Sequence, residues 1–292
     1  MIRRELKMIE GPAWLLVSQV EHARLSAELA RHWIAPGSEG VVCDADRSND
    51  VPRQALAAIE HHDDGWDRWE RAPEIDPKHG GPLSYRGEVA LDKVLVIWSD
   101  SIASARQHGP LAGWMVARHF LYLLEGSESN ASDAAQKWRE TMESNCATWL
   151  SEWQAADSRH TEEVARRAVS FLQLFDSLSL WLCCDCPIPG RDPDESLPCD
   201  SFRSHSPSGD LGSYQFTPLP AASAQLMPGH QRETINRRVV VNPFPFDVRS
   251  LSLGARGAVV PRLPSMHWRQ MAADSTPFHL AWEFVASPWS SA

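Results

Sequence analysis

With 292 residues, 43% of them hydrophobic, the chain can bury one large core, or one core plus an appendage. Its net charge of -10 argues against sequence-independent binding to a nucleic-acid polymer, which needs Lys and Arg to displace counterions along the phosphates; a local basic pocket for a small phosphate stays compatible with it. Six Cys in so long a chain read as reduced thiols, and the apolar run within residues 1–17 is too short for a secretory h-region or a membrane span, so the sequence predicts a soluble cytoplasmic protein.

The first helix is predicted to begin near Ser18, whose hydroxyl can cap it while Glu21 reaches back in a capping box. Its inward stripe then runs through His22, Leu25, Ser26, Leu29 and Trp33 at steps of three or four, which turns His22 toward the core. After a connection rich in Gly, Pro and Asp, a second helix starts near Pro52, a residue suited to a first turn. Ala55, Leu56 and Ile59 lead one face of it to His62 and Asp63, and Gly65 ends it. Over residues 68–87 prolines, glycines and charges replace the periodicity, and a long loop is expected there. Helical periodicity resumes over residues 88–106, 110–124, 131–155 and 161–184. The stretch 187–234 is rich in Pro, Ser, Gly and Asp and reads as an irregular linker. Beyond it, residues 238–241, 251–253, 258–260 and 280–285 read as short strands. The expected architecture is mainly α: a helical metal-binding domain over 1–186, the linker over 187–234, and a small antiparallel β appendage over 235–292.

The string HHDDGW over residues 61–66 is the clearest chemical signal. Neighbours on a helix point roughly 100° apart, yet at a helix end His62 and Asp63 can both turn onto one metal ion. Asp176 lies within an apolar stretch over 169–182, where an unpartnered carboxylate costs several kcal/mol. A metal would compensate it; so would pairing with Arg24, with a His, or with helix-end amides. His22 alone reads as a hydrogen-bonded core histidine, whereas beside the His-Asp pair and Asp176 it reads as a ligand. His108 and His119 are candidates for a further ligand. Eleven residues apart on one helix, they stand about 16 Å from each other, so at most one binds a given ion. Trp66 and Trp69 beside Arg68 form either a stacking wall with a cation for a ligand or a packed loop. Cys183, Cys184 and Cys186, with Cys199 and His205, match no common zinc spacing well. There is no GxSxG and no phosphate-cradling glycine loop.

The order His22, then His62-Asp63 with Gly65 two residues on, then a distant Asp176 resembles the HD-domain superfamily of metal-dependent phosphohydrolases. EHARL (21–25), HHDDGW (61–66), ARHF (117–120), LQLFDSLSL (172–180) and NPFPFD (242–247) are further similar to an uncharacterised bacterial family within or near it. The resemblance implies a helical bundle whose His22, His62, Asp63 and Asp176 hold one divalent ion. It favours His119 over His108 as an additional ligand, and gives Asp63 and Asp64 a role in orienting water. It selects Asp63 rather than Asp64, and His62 rather than His61, as the gripping pair. Trp66, Arg68 and Arg24 are the candidate substrate contacts read from the residues themselves; the chain departs from the family here, since Trp66 stands where many members carry a phosphate-contacting Lys. Mixed His and carboxylate donors suit Mn, Fe, Co, Ni or Zn, as one ion or two. The implied reaction is hydrolysis of a nucleotide or other small phosphoester, with no nucleic-acid polymer or membrane as partner. The alternatives are a two-iron oxygenase and a non-catalytic, metal-containing ligand-binding module.

Overall fold

A computed structural model describes residues 1–8, 11–35, 37–43, 48–86, 89–188, 201–203, 211–219, 233–262 and 267–288. The chain opens with a hairpin, β1 (Ile2–Met8) and β2 (Gly11–Val17), and then enters α1 (Gln19–Arg31). Ser18 caps α1, its side chain accepting from the Glu21 amide at 3.0 Å. The helix α2 (Val51–His61) is followed by the short α3 (Trp66–Glu70) and the two-residue strands β3 (Ile75–Asp76) and β4 (Gly81–Pro82), so the expected long loop carries structure of its own. Four longer helices come next: α4 (Leu91–Arg106), α5 (Pro110–Glu125), α6 (Asp133–Ala156) and α7 (Glu162–Cys184). Gly109, at φ 138°, makes the turn into α5 that a side chain would strain, and Pro110 supplies the first helical residue. Ser132 and Thr161 cap α6 and α7 by accepting from Ala135 and Val164 amides. The chain returns to strands with β5 (Phe202–Arg203), β6 (Gln215–Pro218), β7 (Glu233–Asn242) and β8 (Ser250–Pro261), then α8 (Trp268–Ala273) and β9 (Thr276–Ala286).

Seven of these strands form one curled sheet in the order β1-β2-β8-β9-β7-β6-β5, antiparallel throughout except between β7 and β9. The expectation of a mainly α protein with a small C-terminal antiparallel β appendage is therefore overturned: the fold is mixed α/β, about half helix. The reason lies at the N-terminus. Residues 13–17 of β2 are buried without interruption and pair with β8, with Leu15 opposite Val259 and Val17 opposite Gly257. The apolar run that is too short to span a membrane is thus a strand of the main sheet, a reading open to it because strands buried on both faces lose their alternation. A sheet of this size also does not fit an HD domain, so the HD-like bundle and the all-α class implied by that resemblance are corrected. Strands β5 and β6 fall inside the stretch read as a linker, while residues 189–200, 204–210 and 220–232 lie outside the described residues.

The helix α1 is clamped to the sheet at both ends. Near its start, Glu21 accepts from the Arg256 amide at 2.7 Å, and Arg24 donates to Gly254 O at 2.6 Å, both on β8. At its end, Ile34 N donates to Pro245 O at 2.8 Å and Asp247 N donates to His32 O at 3.0 Å. Trp33, fully buried, meets Phe175, Tyr214 and Phe246 edge-on. The NPFPFD segment therefore serves as a clasp that fixes α1, and with it His22, against the sheet. Among the described residues no helix is long and apolar enough to cross a membrane.

Candidate metal centre

Four segments converge at the middle of the helical layer. The inward stripe of α1 carries His22, the turn just after α2 carries His62 and Asp63, α5 carries His119, and α7 carries Asp176; all five residues are buried. His22 Nε2 lies 2.9 Å from Asp63 Oδ2 and 3.8 Å from Asp176 Oδ1. His62 Nε2 lies 3.3 Å from Asp176 Oδ1 and 3.7 Å from Asp63 Oδ2. His22, His62 and Asp63 each offer one donor atom within 4.8 Å of the others. Donors bound at 2.0–2.1 Å stand about 3.0 Å apart on an octahedral edge and about 3.4 Å apart on a tetrahedral one, so the 2.9 and 3.3 Å spacings match such edges and the 3.7 and 3.8 Å ones lie beyond them.

The hydrogen bonds behind the rings matter as much as the spacing. His62 Nδ1 faces the Ile59 carbonyl at 2.8 Å. A carbonyl only accepts, so Nδ1 carries a proton and a neutral ring turns the lone pair of Nε2 toward the Asp176 carboxylate. Two acceptors then confront each other at 3.3 Å in the interior. Only a cation, a proton or a metal ion, relieves that contact. Burial disfavours a charged His62, but the charge of Asp63 and the hydrogen bond and charge of Asp176 outweigh it, pushing the ring up to about 9. For Asp176 burial works upward and is reversed by the His62 hydrogen bond and the charges of His119, His62 and His22, which hold the carboxyl well below its usual range. The ensemble thus attracts positive charge at one buried point. A divalent ion would neutralise the two carboxylates there and leave the imidazoles neutral, so the donor set fits such an ion.

His119 joins this cluster: its Nε2 is 3.7 Å from Asp176 Oδ2, and its ring meets that of His62 edge-on at 5.8 Å. Burial pushes it down to about 4, and its Nδ1 is buried with no hydrogen-bond partner among the described residues. His108 stands elsewhere, stacked on His61 at 4.4 Å. His61 in turn bonds Asp64 at 2.9 Å, and Ser104 donates to the same carboxylate oxygen at 2.5 Å. Asp64 is therefore occupied on the far side of the His-Asp turn. Those two hydrogen bonds offset its partial burial and lower its pKa.

The residues expected to meet substrate do not gather at the cluster. Arg24 is held by Glu21, Glu28 and Gly254 O at the sheet. Trp66 is buried against Trp69, Val89 and Ile97, which is packing. Arg68 is exposed and lines a groove with Gly65, Trp69, Lys93, Val96 and Asp100. At the end of α7 Cys183 and Cys186 are buried, and the Cys183 thiol is pushed well up by that burial. They join no metal-capable group among the described residues, while Cys199 and His205 lie outside them.

Sequence reasoning put Ser26 on the inward stripe without a role and missed Ser179, the two serines behind His22. Ser179 Oγ lies 2.8 Å from His22 Nδ1, and Ser26 Oγ lies 2.7 Å from Ser179 Oγ, all three side chains being buried. The available signal was positional: Ser26 follows His22 by one turn, and Ser179 follows Asp176 by three residues, both polar on otherwise apolar faces.

A model of the family described as Protein of unknown function (DUF3891) matches residues 1–262. No curated protein and no solved structure matches the chain. The match brings no activity with it, so the hydrolase class that came with the HD-domain resemblance loses that support.

Proposed function

Because the chain belongs to the DUF3891 family, whose function is unknown, we propose its function from the site alone: it is a metal-dependent protein whose His22, His62, Asp63 and Asp176 hold one divalent transition-metal ion, with His119 as an additional donor beside Asp176. The observation that carries this reading is the hydrogen bond of His62 Nδ1 to the Ile59 carbonyl, which turns Nε2 toward the Asp176 carboxylate at a point that a proton or a metal ion can fill. Mixed imidazole and carboxylate donors favour Mn, Fe, Co, Ni or Zn over Mg.

When bound, an ion of this kind supplies a Lewis acid that activates water for attack on an electrophile, and a small phosphoester is the substrate class we propose. The protein's own part is to hold the donors. The Ile59 carbonyl fixes the His62 ring, the His62 and His22 rings cross edge-on at 5.2 Å, and the apolar faces of α1, α5 and α7 keep bulk water from the imidazoles. The side chains of Asp63 and Asp176 are 8% and 12% exposed while that of His22 is fully buried, so any approach to the centre is from the carboxylate side. A two-iron centre would need further donors around His119.

Elemental analysis of protein purified without chelator tests the reading directly. About one transition-metal ion per chain, with turnover of generic phosphomonoester and phosphodiester substrates, supports it. Metal retained without turnover favours the non-catalytic, ligand-binding module. A metal-free protein that takes up none of these ions on titration removes the centre.

A further inference from the structure

The two histidines that face the carboxylates are backed by different chemistry. His62 Nδ1 meets a backbone carbonyl, which only accepts, so its proton stays on Nδ1 whatever happens at Nε2. His22 Nδ1 meets the Ser179 hydroxyl at 2.8 Å, a group able both to donate and to accept. We infer that Ser179 is the positioning residue that lets His22 exchange one tautomer for the other when the centre takes up its ion. This rests on the metal-centre reading above.

Without an ion, a proton on His22 Nε2 would donate to Asp63 Oδ2, 2.9 Å away, and Nδ1 would accept from the Ser179 hydroxyl, 2.8 Å away. In the loaded state Nε2 must offer a lone pair, so the ring proton sits on Nδ1 and donates to Ser179 Oγ. The Ser179 hydroxyl then turns to the Asp176 carbonyl, already 3.0 Å away. Ser26 Oγ supports both arrangements, lying 2.7 Å from Ser179 Oγ and 3.1 and 3.2 Å from the carbonyls of His22 and Phe175. The ring carries one proton in each state: the one lost at Nε2 is balanced by the one gained at Nδ1. Neither state strands a buried donor, and a carbonyl in place of Ser179 would permit only the second. Ser179 also lies three residues from Asp176 on α7, so the same turn of helix aims a carboxylate at the ion and a hydroxyl at the back of His22.

Long-range proton–nitrogen correlation spectra of protein labelled with 15N-histidine, recorded metal-free and loaded with Zn, read both tautomers. The His22 proton is expected on Nε2 without Zn and on Nδ1 with it, while His62 keeps its Nδ1 proton in both. Ser179→Ala is expected to lower Zn affinity by about 10- to 100-fold, and Ser179→Thr, which retains the hydroxyl, to recover most of that loss. Zn uptake with the same His22 tautomer in both states overturns the role of Ser179 and leaves the metal centre standing. A wild type that takes up no Zn overturns both. Because the spectra use the wild-type protein, the decision stands even where a Ser179 variant fails to fold.

Discussion

His62 and Asp176 approach each other with Nε2 and Oδ1 3.3 Å apart, across 114 residues of sequence and between the turn after α2 and the helix α7. Their contact joins the end of α2 to the middle of α7 through a point that requires positive charge. Removing an ion from that point should loosen the whole helical layer, because an ion bound only by the native state adds about 2.7 kcal/mol when present at 100 times its Kd. Chelation is expected to lower the melting temperature of the wild type, and Asp176→Asn, which keeps the shape and removes the charge, to lose most of that metal-dependent shift. An undiminished shift in Asp176→Asn would assign the carboxylate to packing.

The turn after α2 presents four candidate groups in a row, and the structure divides them. His62 and Asp63 face the cluster, whereas His61 and Asp64 bond each other on the partly exposed side. Each of His62→Ala and Asp63→Ala is expected to deplete bound metal, with His61→Ala retaining it. Equal metal content in all three variants, measured by elemental analysis, would dismiss the pair.

His108 lies in the turn before α5, outside the helix that the sequence spacing assumed, and the structure puts only His119 beside Asp176, at 3.7 Å. His119→Ala should weaken metal binding or change its stoichiometry, while His108→Ala should disturb only the stack on His61. A metal titration by calorimetry decides this; a matched loss in both variants would contradict the placement.

The helices were legible because their signals are local. Ser18 caps where its hydroxyl precedes Glu21, and the three-and-four spacing from His22 to Trp33 describes the stripe that is in fact buried. The sheet was not legible, because its pairings are remote: β2 finds β8 240 residues or more later, as with Ala13 opposite Pro261. Gly254 and Gly257 also broke β8 into two apparent strands. Each is there because a neighbour sits close. A Cβ on Gly254 would meet Leu280 O at 2.6 Å, and one on Gly257 would meet Leu16 O at 2.7 Å. The site was partly legible, since the candidate ligands His22, His62, Asp63, Asp176 and His119 come together in space. The substrate contacts were not, because Trp66 and Arg24 carry chemistry-bearing side chains that the fold spends on packing and on holding α1 to the sheet.

Gly65 joins stability to the site. Its φ of -61° is open to any residue, so conformational freedom is not why glycine is there. The reason is contact: a Cβ at this position would stand 2.0 Å from Ile97 O and 2.9 Å from Ser101 N, on the backbone of α4. The Gly65 amide is also held by Ser101 Oγ at 2.9 Å, which pins the turn carrying His62 and Asp63 against α4. Gly65→Ala must push the turn and the helix apart, at about 1–3 kcal/mol for an overpacked interior, and the displacement reaches Asp63 two residues away. The expected outcome is a lower melting temperature in metal-free protein together with weaker metal binding. Ser101→Ala removes the hydrogen bond without adding bulk, and should cost stability while leaving metal affinity closer to the wild type. Should Gly65→Ala melt and bind metal as the wild type does, the close approach of the turn to α4 would have no part in placing the His-Asp pair.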